Sequence, residues 1–197
     1  PTKSRERLRN DHLHFLWNHR WESDKNPSGF LRLLAALKDH KKNFKIILLG
    51  DSFNNLSAQD QKKIDQFEQQ IVWKGYAEDR NDYERLLLQA DVIPVTSNQE
   101  FFGVSVIEAI AHDCFPLLPD RLVYPEHIPT SKASEHIYKS YDELLQMSLK
   151  LINEFDQGVD ISSDLNVSRY RWEEQIQNYD NRFEEIIKKK YDLARTL

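Results

Sequence analysis

The sequence predicts an α/β protein of three layers, in which helices cover both faces of a parallel sheet. Two observations carry this prediction. Short apolar runs typical of buried parallel strands recur along the chain, and segments with apolar residues at helical spacing separate them. Strands that alternate with helices in this way build a parallel sheet, whose ligands bind beyond the carboxyl ends of its strands.

The first third of the chain contains two strands and one helix. Residues 12–17 alternate in polarity and then run apolar, which predicts a strand. A helix is expected over 27–40, because Pro27 suits a first turn and apolar residues follow at helical spacing. The run 44–50 is apolar and closed by a glycine, as in a buried parallel strand.

The middle of the chain continues the alternation. Residues 57–70 are polar with two apolar residues on one face, which predicts an exposed helix. A strand is expected over 71–76, a short helix over 82–90 and a fourth strand over 91–96. Pro94 lies inside this last run and argues against it, since proline cannot donate to a sheet ladder.

The last part adds further helices and two more strands. Helical spacing of apolar residues marks 104–111 and 144–152, and it recurs over 169–193 in a long, charged, amphipathic segment. Strands are expected over 114–119 and 136–138, and a loop over 160–167. The long helix carries its apolar residues at intervals of three and four: Trp172, Ile176, Tyr179, Phe183 and Ile187.

Composition narrows the class of protein. The 197 residues are 40% hydrophobic and 30% charged, as in ordinary globular proteins, and the net charge of −5 argues against a large nucleic-acid-binding face. The single cysteine, Cys114, excludes an intrachain disulfide framework and favours a cytoplasmic location. No apolar run is long enough to span a bilayer. Since the only methionine is Met147, we expect the sequence to be a piece of a longer protein.

The strongest candidate site runs from Glu100 to Glu108, between a predicted strand and a predicted helix. Backbone N–H groups at a helix start attract phosphate, and carboxylates accept hydrogen bonds from the paired hydroxyls of a sugar or ribose. Gly103 lies between the two carboxylates. A simpler interpretation has Ser105 as the N-cap and Glu108 as its capping-box partner, with Glu100 a solvated loop acid. Spacing alone leaves both interpretations open.

Two cations, Arg20 and Lys25, follow the first predicted strand. A guanidinium offers paired donors to phosphate oxygens and an ammonium adds a mobile charge, so together they suit a diphosphate. The alternative is a pair of surface ion pairs with Glu22 and Asp24, each contributing about 0–1 kcal/mol. Taken alone, these two residues favour the alternative.

Position in the fold favours the functional interpretation. Arg20, Lys25 and Tyr76 follow predicted strand ends, as do Glu100 and Glu108. The carboxyl ends of parallel strands meet at one edge, so these side chains could converge on one crevice.

Other site classes find no support in the sequence. His19 and His112 invite catalytic roles, although a lone histidine near an apolar run is more often structural. No spacing of His, Cys, Asp and Glu matches a zinc site. Gly50 follows its strand alone, without the glycine-rich loop of a dinucleotide site or the lysine of a phosphate-binding loop, and no nucleophile-elbow motif occurs.

At this point the motifs resemble a known family. Arg20 and Lys25, followed some eighty residues later by Glu100-x-Phe102-Gly103-Val104-x3-Glu108-Ala109, resemble the C-terminal half of retaining GT-B glycosyltransferases. Two further runs are similar to the tRNA-queuosine mannosyltransferase family: Leu16-Trp17-Asn18-His19-Arg20-Trp21-Glu22-x2-Lys25-Asn26-Pro27 and Cys114-Phe115-Pro116-x6-Val123-Tyr124-Pro125-Glu126.

The resemblance implies a role for each matching residue. Arg20 and Lys25 would hold the donor diphosphate, and Glu100 would contact the donor sugar, so these three are the expected catalytic residues. The donor nucleotide would also meet Glu108 at the ribose hydroxyls. The turn of Gly103, Val104 and Ser105 would face the phosphates. Tyr76 is expected in the nucleotide site because of its position after a predicted strand end, apart from the resemblance.

The resemblance also implies the partners and the conditions of the reaction. The donor would be GDP-mannose, and no metal cofactor is expected because the cations and the helix start would neutralise the leaving diphosphate. The acceptor, queuosine in tRNA, would bind mainly through a missing N-terminal domain. One departure is Asp113, where the family usually has glycine; aspartate tolerates left-handed backbone better than most residues.

The predicted organisation therefore has three parts. Residues 1–10 would be a linker from the missing N-terminal domain, and 11–165 a Rossmann-like domain that binds the nucleotide sugar. Residues 166–197 would form an amphipathic helix that packs back on the domain or its missing partner. Two other classes remain open: a non-catalytic nucleotide- or phosphate-binding module of similar fold, and an interaction domain built around the Trp172 helix. The latter leaves the cations and glutamates unexplained.

Overall fold

The computed structural model describes residues 10–50 and 56–195, with side chains described as far as residue 189. The chain divides into two compact units after Leu165. The first unit contains the whole sheet, and the second contains a 3-10 turn, Ser168–Tyr170, and one long helix. Of the predicted linker 1–10, only Asn10 is described, and its side chain donates to Gln89 O at 2.8 Å.

Six parallel strands form the sheet in the order β3-β2-β1-β4-β5-β6. The order reverses between β1 and β4, and in such sheets the ligand crevice opens at this switch point. This arrangement confirms the predicted Rossmann-like α/β fold. The strands are β1 (Leu13–Trp17), β2 (Phe44–Leu49), β3 (Ile71–Gly75), β4 (Val92–Pro94), β5 (Phe115–Pro119) and β6 (Ile137–Tyr138).

Eight α-helices lie in the described part of the chain. Several begin as their sequences dictate. Asn26 caps the first helix and Pro27 occupies its first turn, while Ser57, Asp79 and Ser140 each accept a backbone N–H at other helix starts. The helices are α1 (Pro27–Asp39), α2 (Ala58–Asp65), α3 (Arg80–Gln89), α4 (Val104–Ala111), α5 (Tyr124–His127), α6 (Ala133–His136), α7 (Tyr141–Asp156) and α8 (Trp172–Arg195).

The core lies around the central strands and α1. Phe15 and Trp17 of β1 are fully buried, and Trp17 packs on Phe30 of α1 with ring centroids 5.1 Å apart. Burying each such large apolar side chain stabilises the fold by about 1.5–3 kcal/mol. This packing holds the carboxyl end of β1, after which the loop carrying Arg20 and Lys25 begins.

Pro94 does not prevent the fourth strand. β4 pairs with β5 along its whole length and with β1 at Val92, opposite Phe15. The strand is short and Pro94 is its last residue, so the missing N–H falls where regular pairing ends.

Some predicted elements differ from the structure. The polar helix expected over 57–70 ends at Asp65, and the turn that follows buries Phe67. The segment between β5 and β6 contains α5, α6 and a 3-10 turn, Thr130–Lys132, although no helix was expected there. These helices are too short for apolar periodicity to show, and prolines interrupt the segment.

The long C-terminal helix is confirmed, although it begins at Trp172, after the 3-10 turn, rather than at Arg169. Its apolar residues Trp172, Tyr179 and Phe183 are more than half exposed. The packing of this helix on the domain or on its missing partner stays a prediction. Among the helices of the described ranges, none combines the length and apolarity that crossing a bilayer requires.

Candidate functional site

The predicted turn at Gly103 opens α4 at the switch point of the sheet. Gly103 has φ 81° and ψ 48°, a left-handed conformation that glycine adopts without strain, and no side chain caps the helix there. A Cβ at this position would lie 3.6 Å from Glu100 Cγ, an ordinary contact, so the backbone angle rather than crowding requires the glycine. The first turn of α4 therefore presents its backbone N–H groups without a side-chain cap, as anion-binding helix starts do.

The capping-box interpretation of Ser105 and Glu108 is wrong. Because Gly103 is the N-cap, Ser105 lies within the first turn of α4. The Glu108 carboxylate instead accepts hydrogen bonds from Arg80 Nη1 at 2.8 Å and from the Tyr83 hydroxyl at 3.0 Å. It therefore faces the start of α3, beside the cleft described below, and the two donors fix its orientation.

Lys25 and Glu100 form the most buried ion pair of the site. Lys25 Nζ lies 3.0 Å from Glu100 Oε2, and the two side chains are only 12% and 16% exposed. Lys25 Nζ also donates to Gln99 O at 3.1 Å and lies 3.3 Å from Asp24 Oδ2. This contact joins the loop after β1 to the turn before α4, which are 75 residues apart in sequence.

The environment keeps Glu100 ionised. Burial alone would raise the pKa of its carboxyl group. The Lys25 ammonium, together with hydrogen bonds from the N–H groups of Phe101 and Phe102, outweighs that effect, and the pKa lies below its ordinary value. Glu100 can therefore act as a fixed anionic acceptor, as contact with sugar hydroxyls requires.

Arg20 has a different environment from Lys25. Its side chain is 59% exposed, and it pairs with Glu22 at 3.1 Å and with Asp24 at 3.7 Å. These are the surface ion pairs of the alternative interpretation, and such pairs contribute only about 0–1 kcal/mol. Arg20 also lines the cleft, so its guanidinium lies within reach of a ligand there.

A cleft of about 510 Å³ opens at the carboxyl ends of β1, β2 and β3. Tyr76, predicted to belong to the site, lines it and is 74% exposed. The start of α3 lines it too, through the Arg80 and Tyr83 that bond to Glu108. Its lining residues are Asn18, His19, Arg20, Leu49, Gly50, Tyr76, Ala77, Glu78, Asp79, Arg80 and Tyr83.

Sequence reasoning missed Arg80 and Tyr83. Both follow the end of β3, so the strand-end rule that selected Tyr76 could have selected them as well. The pKa of Arg80 is raised, first by its hydrogen bond to Glu84 and then by its hydrogen bond to Glu108. The pKa of Tyr83 is also raised, first by burial and then by the charge of Glu108. They serve as donors that hold the Glu108 carboxylate.

His19 is buried, and it also belongs to the site because it lines the cleft. It is 4% exposed, and its Nδ1 lies 3.0 Å from Ser105 Oγ. Burial and then the positive charge of Lys25 lower its pKa to about 4, so the ring is neutral near pH 7. The side chain of the preceding residue, Asn18, donates to Ser105 O at 2.8 Å.

The structure places the predicted residues in two adjoining groups. In the first group, Lys25 and Glu100 meet next to the turn of Gly103, Val104 and Ser105. In the second group, Arg20 and Tyr76 line the cleft. Glu108 lies beside this second group, because it bonds to Arg80, which also lines the cleft.

The remaining candidate residues have structural explanations. His112 follows the last residue of α4, and its Nδ1 lies 2.7 Å from Glu108 O, which fits a structural role at the helix end. Asp113 has φ 69°, the left-handed backbone that the resemblance to the family required at this position. Within residues 10–50 and 56–195, no three His, Cys, Asp or Glu side chains are grouped to hold a metal ion.

The sheet order, the switch point and the uncapped start of α4 together define a Rossmann-like α/β domain with a ligand crevice at the switch point. Residues 2–152 match the model of the family described as glycosyl transferases group 1. The chain belongs to this family.

Individual relatives agree with this assignment. The chain is 33% identical over 132 residues to a tRNA-queuosine alpha-mannosyltransferase of Drosophila melanogaster, a match that covers 67% of this chain and 34% of that protein. The resemblance seen in the sequence motifs is thereby confirmed. This chain spans about a third of the length of that relative, so the activity of a whole protein is a separate question.

Solved structures show the same fold. A glycosyltransferase from Rickettsia africae matches with a TM-score of 0.72 and 17% identity, over 91% of this chain and 49% of that one. The Anabaena protein HepE, solved in complex with UDP-glucose, matches with a TM-score of 0.59 and 18% identity, over 78% of this chain and 43% of that one.

Proposed function

We propose that this chain is the donor-binding domain of a retaining glycosyltransferase that transfers mannose from GDP-mannose to queuosine in tRNA. The observation that carries the proposal is its 33% identity to the Drosophila tRNA-queuosine alpha-mannosyltransferase. The UDP-glucose complex of HepE supports the more general part, a nucleotide-sugar donor, on the same fold.

The diphosphate would lie between the start of α4 and the cations of the β1 loop. The uncapped backbone N–H groups after Gly103 offer hydrogen bonds and a positive dipole end. Arg20 adds a planar pair of donors, and Lys25 adds a charge close to Glu100. Negative charge grows on the diphosphate as the glycosidic bond breaks, and groups fixed in this way stabilise the leaving group. We propose that no metal ion is needed for this step.

Each of the two glutamates would bind a different sugar of the donor. Glu108 lies beside the cleft with its carboxylate oriented by Arg80 and Tyr83, and it would accept the hydroxyls of the ribose. Glu100 is held in its anionic form beside Lys25 and would accept hydroxyls of the transferred mannose. Each carboxylate oxygen has two acceptor positions, so a bond within the protein leaves capacity for a ligand hydroxyl.

Transfer would require a second domain. A glycosyltransferase must orient its acceptor and exclude water from the reacting sugar. In our proposal the tRNA binds mainly to another domain, which agrees with the net charge of −5 on this chain. We also propose a cytoplasmic location, since a single cysteine cannot form a disulfide within the chain.

Calorimetric titration with GDP-mannose, GDP, UDP-glucose and UDP tests the proposal. We expect both guanosine ligands to bind more tightly than both uridine ligands. Arg20→Ala should weaken binding, whereas Arg85→Ala is a matched control, because Arg85 pairs with Asp82 on α3 and does not line the cleft. Tighter binding of UDP-glucose would refute the choice of donor, and no binding of any ligand would refute the site.

A further inference from the structure

Two consecutive residues at the end of β1 hold one residue of α4. Asn18 Nδ2 donates to the carbonyl oxygen of Ser105 at 2.8 Å, and His19 Nδ1 lies 3.0 Å from the hydroxyl of the same serine. The partners are 87 and 86 residues apart in sequence. Both oxygen atoms of Ser105, the main-chain carbonyl and the side-chain hydroxyl, are therefore held by the two residues that follow β1.

The contact with Ser105 joins the two parts of the proposed phosphate site. Ser105 belongs to the uncapped first turn of α4, and Arg20 follows His19 directly in the chain. The contact therefore fixes the distance between the backbone N–H groups of that turn and the cations of the β1 loop. A site that binds one anion from two sides depends on that distance, because small misplacements of binding groups weaken their combined effect.

The chemistry of the His19 ring suits a fixed support. The ring is buried and carries no charge near pH 7. It therefore does not repel Lys25, and it does not attract a phosphate away from Arg20 and Lys25 as a cation would. A serine hydroxyl can donate to or accept from either tautomer of the neutral imidazole. Trp17 strengthens the support, since its Nε1 donates to His19 O at 2.8 Å.

We propose that Asn18 and His19 are positioning residues that form a clamp on Ser105, and that this clamp sets the affinity of the site for the diphosphate of the donor. They act through Ser105 and the first turn of α4 rather than by contact with the donor. The proposal rests on the proposed function, in which the diphosphate lies at the start of α4. It adds residues that recognise the phosphate part of the ligand indirectly.

The test compares a ligand that has the diphosphate with one that lacks it. GDP and guanosine are titrated against the wild-type chain, His19→Ala and Ser105→Ala. We expect each variant to lose about tenfold in GDP affinity, the effect of about 1.4 kcal/mol, and to bind guanosine as the wild type does. A general loss of structure would instead lower both affinities together and overturn the clamp.

Two conservative variants identify the nitrogen that matters. The side-chain amide of His19→Asn can occupy the place of Nδ1, whereas that of His19→Gln reaches the place of Nε2. We expect His19→Asn to restore most of the GDP affinity lost in His19→Ala, and His19→Gln to restore little. The opposite result would mean that Nε2 contacts the donor itself, and it would overturn an action through Ser105.

The outcomes also separate the clamp from the proposed function. If the wild-type chain binds GDP and a folded His19→Ala binds it equally well, the clamp is refuted and the donor site stands. If the wild-type chain binds no GDP, the proposed function fails and the clamp fails with it. Melting temperatures of all variants show which of them are folded.

Discussion

Burial of His19 should make this protein sensitive to mild acid, and His19→Asn should remove that sensitivity. The pKa of His19 falls from its ordinary 6.5 to about 4 in the folded chain. The unfolded chain therefore binds a proton at this residue over a range of pH in which the folded chain does not. Each proton bound only by the unfolded state lowers the free energy of unfolding as the pH falls. The loss begins near pH 6.5 and is complete below about pH 4.

The size of the effect follows from the two pKa values. At about pH 5 nearly all unfolded molecules carry a proton on His19, whereas only about a tenth of the folded molecules do. Relative to neutral pH, the free energy of unfolding should then have fallen by about 2 kcal/mol on account of this residue. Asparagine does not titrate and can keep the hydrogen bond to Ser105, so the variant should lack this loss.

Urea unfolding at several pH values between about 7.5 and 5 measures the difference between wild type and variant. Two other histidines with lowered pKa values, His14 and His136, are present in both proteins, so their contributions cancel. The Lys25–Glu100 pair does not interfere. The pKa of Glu100 is lowered, so its contribution to stability persists above the ordinary value of 4.5 and is lost only as the pH falls further. Parallel curves for the two proteins would refute a buried, neutral His19.

Further predictions concern binding and turnover. Arg20→Ala should weaken GDP binding by about 1.5–3 kcal/mol, the range for hydrogen bonds to charged groups, and an unchanged calorimetric affinity would remove Arg20 from the site. Glu108→Gln should lower that affinity and leave the melting temperature nearly unchanged, because the lost pair with Arg80 is exposed; equal affinities would contradict a ribose contact. The 197-residue chain should bind GDP-mannose without transferring mannose to tRNA, and a second domain should restore turnover. Transfer of labelled mannose by this chain alone would disprove that dependence.

The parts of the fold that the sequence predicted well are those with local signals. Strands such as β1 and β2 are buried apolar runs, and α1 combines a capping asparagine, a proline in its first turn and a regular apolar face. Gly103 also has a local cause, since the turn into α4 needs a left-handed residue. Each of these features depends on a few neighbouring residues, and the sequence displays them directly.

The parts that could not be predicted depend on residues far apart in sequence. Ser105 matches a capping box, but Gly103 begins the helix two residues earlier, and Glu108 bonds to Arg80 on another helix. The three-dimensional arrangement of the loops decides which cation pairs with which carboxylate. Sequence spacing does not contain this information. The role of His19 was obscured for the same reason, since only the fold brings it to Ser105.

The ion pairs of the site indicate different roles for its two cations, Arg20 and Lys25. Asp24 lies near both Arg20 and Lys25, so the two compete for one carboxylate. The Arg20 guanidinium and its partner Glu22 are exposed and weakly paired, and a diphosphate with more charge can replace that pair at little cost. Lys25 is nearly buried against Glu100, and removing it would leave a carboxylate with too little compensation. Arg20 is therefore suited to turn towards a ligand, while Lys25 keeps Glu100 anionic and in place.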